Sequence, residues 1–364
     1  MFKISDYNLN PNPGFSGPPL DAFEALKHAK SIYAEHRKLK ILSIAAGAGV
    51  LSFLAARFLY ASALQQIRPL NTLVTQNYTF YLSLTALFSL FCVGLPFLVA
   101  LYFIKKIANG DPIVAGKPQN AFDMTLLVAA GFAACLAGGL VSSYFSAYVQ
   151  DFFGIKFEYA MDPVPTQAID IGLYFLSYAI VPAIVEEFAL RGVVMQPLRK
   201  YGDWFAILMS SLVFALMHGN MVQVPFAFIA GIAMGFAVIK TGTLWTSIII
   251  HFLTNASSLL QSIYLEKTAS TGTSLLTVYV FYAVVILLGG VCAFFYFRRL
   301  QKRERELHRQ RNPFAFPLKS VPVLYKDSRF PLGSCVGKYV ATVPMLTAIA
   351  IMALQTVTSI SLAG

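Results

Sequence analysis

The chain has 364 residues, 57% of them hydrophobic and only 12% charged, where an average soluble domain carries roughly a quarter charged residues. This balance excludes an ordinary soluble domain and points to a membrane protein, so length here counts spans of roughly 20 apolar residues each. The formal net charge of +11 lies in short clusters flanking apolar runs, which fits positive-inside topology better than nucleic-acid binding.

From the amino terminus, residues 1–20 hold Pro11, Pro13, Gly14, Gly17, Pro18 and Pro19, a composition that predicts disorder. Asp21 with Glu24 makes a capping pattern, and Ala22, Leu26, Ala29, Ile32 and Tyr33 follow at helical spacing. They predict an amphipathic helix over 22–38, either lying on the membrane surface or solvated, and ended by Arg37, Lys38 and Lys40. About 40 polar residues precede the first apolar run, too many for a cleavable signal, so the first span reads as a retained anchor.

Candidate spans then run over 41–63, 79–104, 123–148, 168–194, 203–219, 222–239, 244–264, 275–297 and 340–362. The predicted fold class is all-α, a polytopic transmembrane helical bundle of about nine spans. It divides into a cytoplasmic tail (1–40), N-terminal transmembrane helices (41–150), a central block (168–264), a further span (275–297), a basic cytoplasmic segment (298–339) and a last span (340–362). Cys92, Cys135, Cys292 and Cys335 lie far apart, with neither CxxC pairing nor metal-ligand spacing, which argues against a disulfide framework or a zinc ribbon.

Charge alone orients the bundle. With a cytoplasmic amino terminus, the inner segments collect Lys3, Lys27, Lys30, Arg37, Lys38, Lys40, Lys105, Lys106, Lys117, Arg199, Lys200, Lys240 and the run from Arg298 to Lys338. Outside stand Arg68, Lys156 and Lys267. The asymmetry predicts the amino terminus inside and the carboxyl terminus outside. The stretch from Arg298 to Arg311 suits anionic lipid headgroups, and no aromatic stacking platform accompanies it that would suit nucleic acid.

The chemistry-bearing residues fall in three consecutive apolar blocks. Glu186 and Glu187 in the fourth span each cost on the order of 2.5–3.5 kcal/mol at mid-bilayer and need compensation. Arg191 stands four residues after Glu187 and is placed to neutralise it as an ion pair. Glu186 points about 100° away and has no such cation, which is the environment a general base needs. Phe214 shares a helix face with His218 in the fifth span, and His251 shares one with Asn255 in the seventh.

A lone buried histidine is more often a hydrogen-bonded core residue than a ligand, but two of them with Glu186 form a set that fits two chemistries. In one, Glu186 deprotonates a water, His218 orients it and passes the proton to the leaving amine, and His251 with Asn255 donates to the oxyanion. In the other, Glu186, His218 and His251 are three ligands of a zinc ion with water in the open position. The His-Glu-x-x-His signature is missing, and the sequence leaves the choice between a divalent metal and a metal-free glutamate mechanism open.

Taken in order, Glu-Glu-x-x-x-Arg (Glu186 to Arg191), Phe-x-x-x-His (Phe214 to His218) and His-x-x-x-Asn (His251 to Asn255) resemble the motifs of a known family. It is the CAAX prenyl protease type II family, also called lysostaphin-resistance-protein-A-like or bacteriocin-processing (CPBP) intramembrane proteases. The resemblance covers residues 168–264. It implies a helical bundle with a cavity in the membrane, hydrolysis near the cytoplasmic end, and Glu186 with His218 as the pair activating water. It further implies His251 and Asn255 as the oxyanion-stabilising pair, with Glu187, Arg191 and Phe214 in support. The substrate so implied is a peptide or protein presented at the membrane: a prenylated tail, a secreted-peptide precursor or a membrane-anchored regulator.

Two other classes compete with an endopeptidase. A non-catalytic binding or immunity protein would keep the bundle but has no need to bury Glu186, His218, His251 and Asn255 together. A proton-coupled transporter calls for inverted repeats, and the sequence shows none. Of the remaining polar or helix-shaping residues, Gly231-x-x-x-Gly235 reads as a place of close helix approach. Arg57 reads as a snorkelling or helix-pairing cation, and Pro182 as a kink beside the site or an ordinary membrane-helix proline.

Overall fold

The computed structural model describes residues 22–108, 116–157, 162–268, 274–309, 324 and 329–362; the disorder expected over 1–20 lies outside them. A bilayer offers backbone N–H and C=O groups no partner, so apolar spans close their hydrogen bonds internally as helices. In chain order these are α1 (Ala22–Gln66), α2 (Arg68–Gln76), α3 (Tyr78–Lys106), α4 (Ala121–Phe153), α5 (Ala168–Tyr201), α6 (Asp203–Met217), α7 (Gln223–Thr241) and α8 (Trp245–Lys267). α9 (Ser274–Arg309), α10 (Leu332–Val340) and α11 (Val343–Thr358) complete the bundle. Two short strands, β1 (Ile155–Phe157) and β2 (Ile360–Leu362), pair antiparallel and tie the end of α11 to the end of α4.

Among the described residues, seven helices are long and apolar enough to cross a membrane: Leu26–Gln66 within α1, then α3, α4, α5, α7, α8 and Leu275–Glu306 within α9. The protein is thus an integral, multi-pass membrane protein. α10 and α11 make an eighth span if the pair, bent by 84°, is taken as one. The fifth predicted span is α6, whose 15 residues extend about 22 Å against a hydrocarbon core of about 30 Å.

The first helix departs from expectation. α1 is one 45-residue helix, about 67 Å long, so residues 22–38 continue the first span and are no separate surface helix. Leu26 and Tyr33 of the apolar stripe stay exposed, while the face after Ile32 packs on protein. Ile32, His36 and Leu39 are buried, His36 meets Phe330 edge-on at 5.5 Å, and the Tyr201 hydroxyl donates to the Glu35 carbonyl at 3.0 Å.

Charge placement fixes two further contacts. Arg299 Nε lies 3.0 Å from Asp123 Oδ1, and Arg303 pairs with the other carboxylate oxygen, so part of the basic stretch on α9 serves to lock that helix to α4. Arg57 pairs with a neighbouring helix, its Nη1 donating to the Met217 carbonyl at 3.1 Å. That bond caps the carboxyl end of α6, where helix carbonyls lack intrahelical partners. All four cysteines are free thiols.

Candidate active site

The site grows from the point where α5 departs from regular α geometry. Pro182 has no N–H to offer the Tyr178 carbonyl one turn earlier, and Tyr178 lies in a π turn, Leu176–Ile180. Asn255 on α8 fills that vacancy: its Nδ2 donates to the Tyr178 carbonyl at 3.0 Å. A second π turn, Phe188–Met195, follows Glu187. Such turns insert a residue into the ladder and are frequent at functional sites. Pro182 therefore opens backbone beside the site, one of the two readings its position allows in the sequence.

Glu187 and Arg191 make the ion pair that their spacing predicts, at 2.8 Å, and neither side chain has any exposure. The guanidinium also reaches the Gly231 carbonyl through Nη2 at 3.4 Å and sits 4.5 Å over the Phe214 ring, a cation–π contact strengthened by desolvation. Phe214 in turn meets His218 and His251 edge-on, at 5.0 and 5.7 Å between ring centres. Gly231 makes this packing feasible, since a Cβ there would lie 2.8 Å from the Ser211 side chain. This is the close helix approach expected of that glycine.

Both imidazoles are anchored through Nδ1. In His251 it lies 2.9 Å from Glu187 Oε1, and in His218 it lies 2.9 Å from the Phe214 carbonyl. A carboxylate and a carbonyl only accept, so Nδ1 carries the proton in each ring and Nε2 bears the lone pair when the ring is neutral. Gly219, with φ at +68°, turns the chain sharply just after His218, a conformation that favours glycine. The second role of Glu187, orienting His251, has no signal in the sequence, because the two residues lie on different helices without a shared motif.

Glu186 behaves differently from its neighbour. Its side chain is 26% exposed, and His251 Nε2 stands 3.9 Å from its Oε2, beyond hydrogen-bond reach. Glu186, His218, His251 and Asn255 all line one cavity of about 530 Å³, together with Phe214, Tyr178 and Pro182. The four residues that the sequence nominated as catalytic thus share a single pocket. His218 stands within electrostatic reach of Glu186, His251 and Arg57.

Sequence reasoning missed much of the wall. Thr254, Ser258 and Ser262 line the cavity with Asn255, and their spacing along α8 puts them on one helix face. That polar stripe in an apolar helix was a legible signal. Ser142, Ser143, Ser177 and Asp162 also line it, but they come from α4, α5 and a connecting segment, which no local pattern joins.

The three-ligand metal alternative is not supported by the donor geometry. Among the described residues, no group of three His, Cys, Asp or Glu side chains is arranged to hold a metal ion, and that includes Glu186, His218 and His251. The Nδ1 anchor on each ring leaves Nε2 as the atom free for chemistry.

Residues 169–257 match the family model described as Rce1-like, type II CAAX prenyl endopeptidase Rce1-like. The matched stretch runs from the start of α5 into α8 and contains Glu186, Glu187, Arg191, Phe214, His218, His251 and Asn255. No match was found among the curated proteins or among the solved structures.

Proposed function

We propose that this chain, which carries an Rce1-like domain of the type II CAAX prenyl endopeptidases over residues 169–257, hydrolyses peptide bonds through a water activated by Glu186 and His218. The observation that carries the reading is the convergence of Glu186, His218, His251 and Asn255 on one cavity inside the bundle. Glu186 has the partial exposure and freedom from a close cation that a base needs.

The chemistry follows from which atoms are free. Water between the Glu186 carboxylate and His218 Nε2 gives a proton to Glu186 as its oxygen attacks the scissile carbonyl carbon. The oxyanion that forms accepts a hydrogen bond from the second N–H of Asn255, the first being held by the Tyr178 carbonyl. His251, whose Nδ1 is held by the Glu187 carboxylate, turns Nε2 toward the same cavity and joins Asn255 as a donor only when that nitrogen carries a proton. When the tetrahedral species collapses, the C–N bond breaks and the leaving nitrogen takes a proton that His218 relays from Glu186.

The substrates of this reading are membrane-presented peptides or proteins. The carboxyl-terminal end of α9 exposes Arg298, Lys302 and Arg305, cations suited to anionic headgroups. The distribution of Lys and Arg favours an amino terminus inside. The β1–β2 pairing keeps residues 360–362 on the same side as the end of α4, which charge assigns to the outside.

The test is cleavage of internally quenched peptides, with and without a prenylated cysteine tail, by the purified protein in liposomes. Wild type should cleave one class, while Glu186→Gln and His218→Ala, each verified as folded, should not. Turnover surviving either change would refute the assignment, and binding without turnover in wild type would favour a non-catalytic receptor. Metal analysis of the active preparation with chelator titration separates the two water-activating chemistries: full activity in metal-free protein is the expected result.

A further inference from the structure

Beside the connection from α4 to α5, the cavity wall holds a carboxylate that the proposed hydrolysis does not use. Asp162 lines the same pocket as Glu186 and Asn255. Tyr81 donates to its Oδ1 at 3.0 Å, and Tyr178 donates to Oδ2. The two phenols also approach each other at 3.4 Å. The titratable groups around this carboxylate are phenols, Tyr60, Tyr78, Tyr81 and Tyr178. Among the described residues no Lys, Arg or His pairs with it.

Asp162 is half-buried in the segment between α4 and α5, and a carboxylate partly withdrawn from water with no cation beside it is costly. Phenol hydrogen bonds satisfy lone pairs and leave the charge. Tyrosine rings also gather around it: Tyr78 stacks on Tyr81 at 5.9 Å and Tyr174 meets Tyr178 edge-on at 5.2 Å, and Tyr174 and Tyr178 both line the cavity. A carboxylate on a cavity wall with tyrosine rings beside it suits an organic cation, held by charge and by contact with the rings. The serines along the wall, Ser142, Ser143, Ser258 and Ser262, suit the amide groups of an extended chain leading to it.

We infer that Asp162, with Tyr81 and Tyr178, forms a subsite for a cationic group of the peptide substrate, a lysine or arginine side chain or a free amino terminus. The inference rests on the endopeptidase reading for its substrate class. Tyr178 ties the subsite to the reaction: its hydroxyl holds Asp162 and its carbonyl holds Asn255. A tyrosine with a hydrogen bond at either end spans on the order of 10 Å, and an extended peptide advances about 3.3–3.6 Å per residue, so the cation falls about three residues from the scissile bond.

The experiment is a scan of internally quenched octapeptides in which one lysine, or its neutral isostere norleucine, occupies each position in turn, cleaved by the full-length protein in liposomes. At one position near the third from the cut, lysine should raise kcat/KM at least about tenfold over norleucine. Asp162→Asn should lower that ratio to near one, and Asp162→Glu should restore it. A wild-type enzyme that cleaves the set with no cation preference, or an Asp162→Asn enzyme with the wild-type ratio, overturns the subsite while leaving the protease intact. If wild type cleaves none of the peptides, the protease reading fails separately, and the subsite is judged by binding of the same labelled peptides. Tighter binding of the lysine peptide to wild type than to Asp162→Asn supports it, and equal binding overturns it.

Discussion

Glu186 and Glu187 are neighbours in sequence and stand in two different regions of the molecule. Glu187 belongs to a sealed interior, with Arg191 at 2.8 Å, His251 at 2.9 Å and no exposure. Glu186 belongs to the cavity wall, with 26% of its side chain open and His251 Nε2 at 3.9 Å. One helix turn thereby presents an ion-paired carboxylate to the protein interior and its neighbour to the cavity. Adjacent charges in a membrane helix divide into structural and chemical roles by the face they take, and the partner four residues on decides which is which.

Exchanging each carboxylate for its amide tests this division. Glu186→Gln is expected to lower turnover by about 10²–10⁴-fold, the range for loss of a general base, with little change in the unfolding temperature in detergent. Glu187→Gln should do the reverse in stability: breaking a buried pair costs about 3–5 kcal/mol because it leaves Arg191 uncompensated, readable as a lowered midpoint in denaturant. Its activity should fall as well, since His251 loses its anchor. Equal stability losses in the two variants would erase the distinction between the regions.

Much of this was legible before any coordinates. The Glu187–Arg191 pair follows from spacing, and the approach at Gly231 follows from a small-residue motif in an apolar helix. The convergence of Glu186, His218, His251 and Asn255 followed from three motifs in order on the fourth, fifth and seventh predicted spans. What was not legible depends on contacts between distant segments. The bond from Asn255 to the Tyr178 carbonyl requires knowing that Pro182 orphans that carbonyl and that α8 lies beside it. Residues 22–38 run into the first span without a break, and a helical pattern reads the same for a separate helix and for the start of a long one.

A smaller effect sharpens the boundary between the regions. Gly231→Ala puts a methyl group 2.8 Å from the Ser211 side chain and 3.0 Å from its Cα, and overpacking of this kind costs about 1–3 kcal/mol. Because the Gly231 carbonyl accepts from Arg191, displacement of α7 should pass through Arg191 and Phe214 to both imidazoles. Thermal unfolding and kcat should therefore fall together in this variant, and a stable protein with wild-type kcat would mean that the interior does not position the cavity wall.

The smallest expected effect lies outside the matched domain. Arg57→Met leaves the Met217 carbonyl without its donor, a loss of about 1–3 kcal/mol for a buried acceptor. The bond caps α6 immediately before His218, so the damage should be local: a modest fall in unfolding temperature with a larger relative fall in kcat than in substrate affinity. Arg57→Lys keeps one donor on a long stem and should recover part of both. If Arg57→Met instead weakened substrate binding and spared kcat, Arg57 would belong to the cavity's ligand contacts, and the scaffold contributed by α1 would have to be redrawn as part of the site.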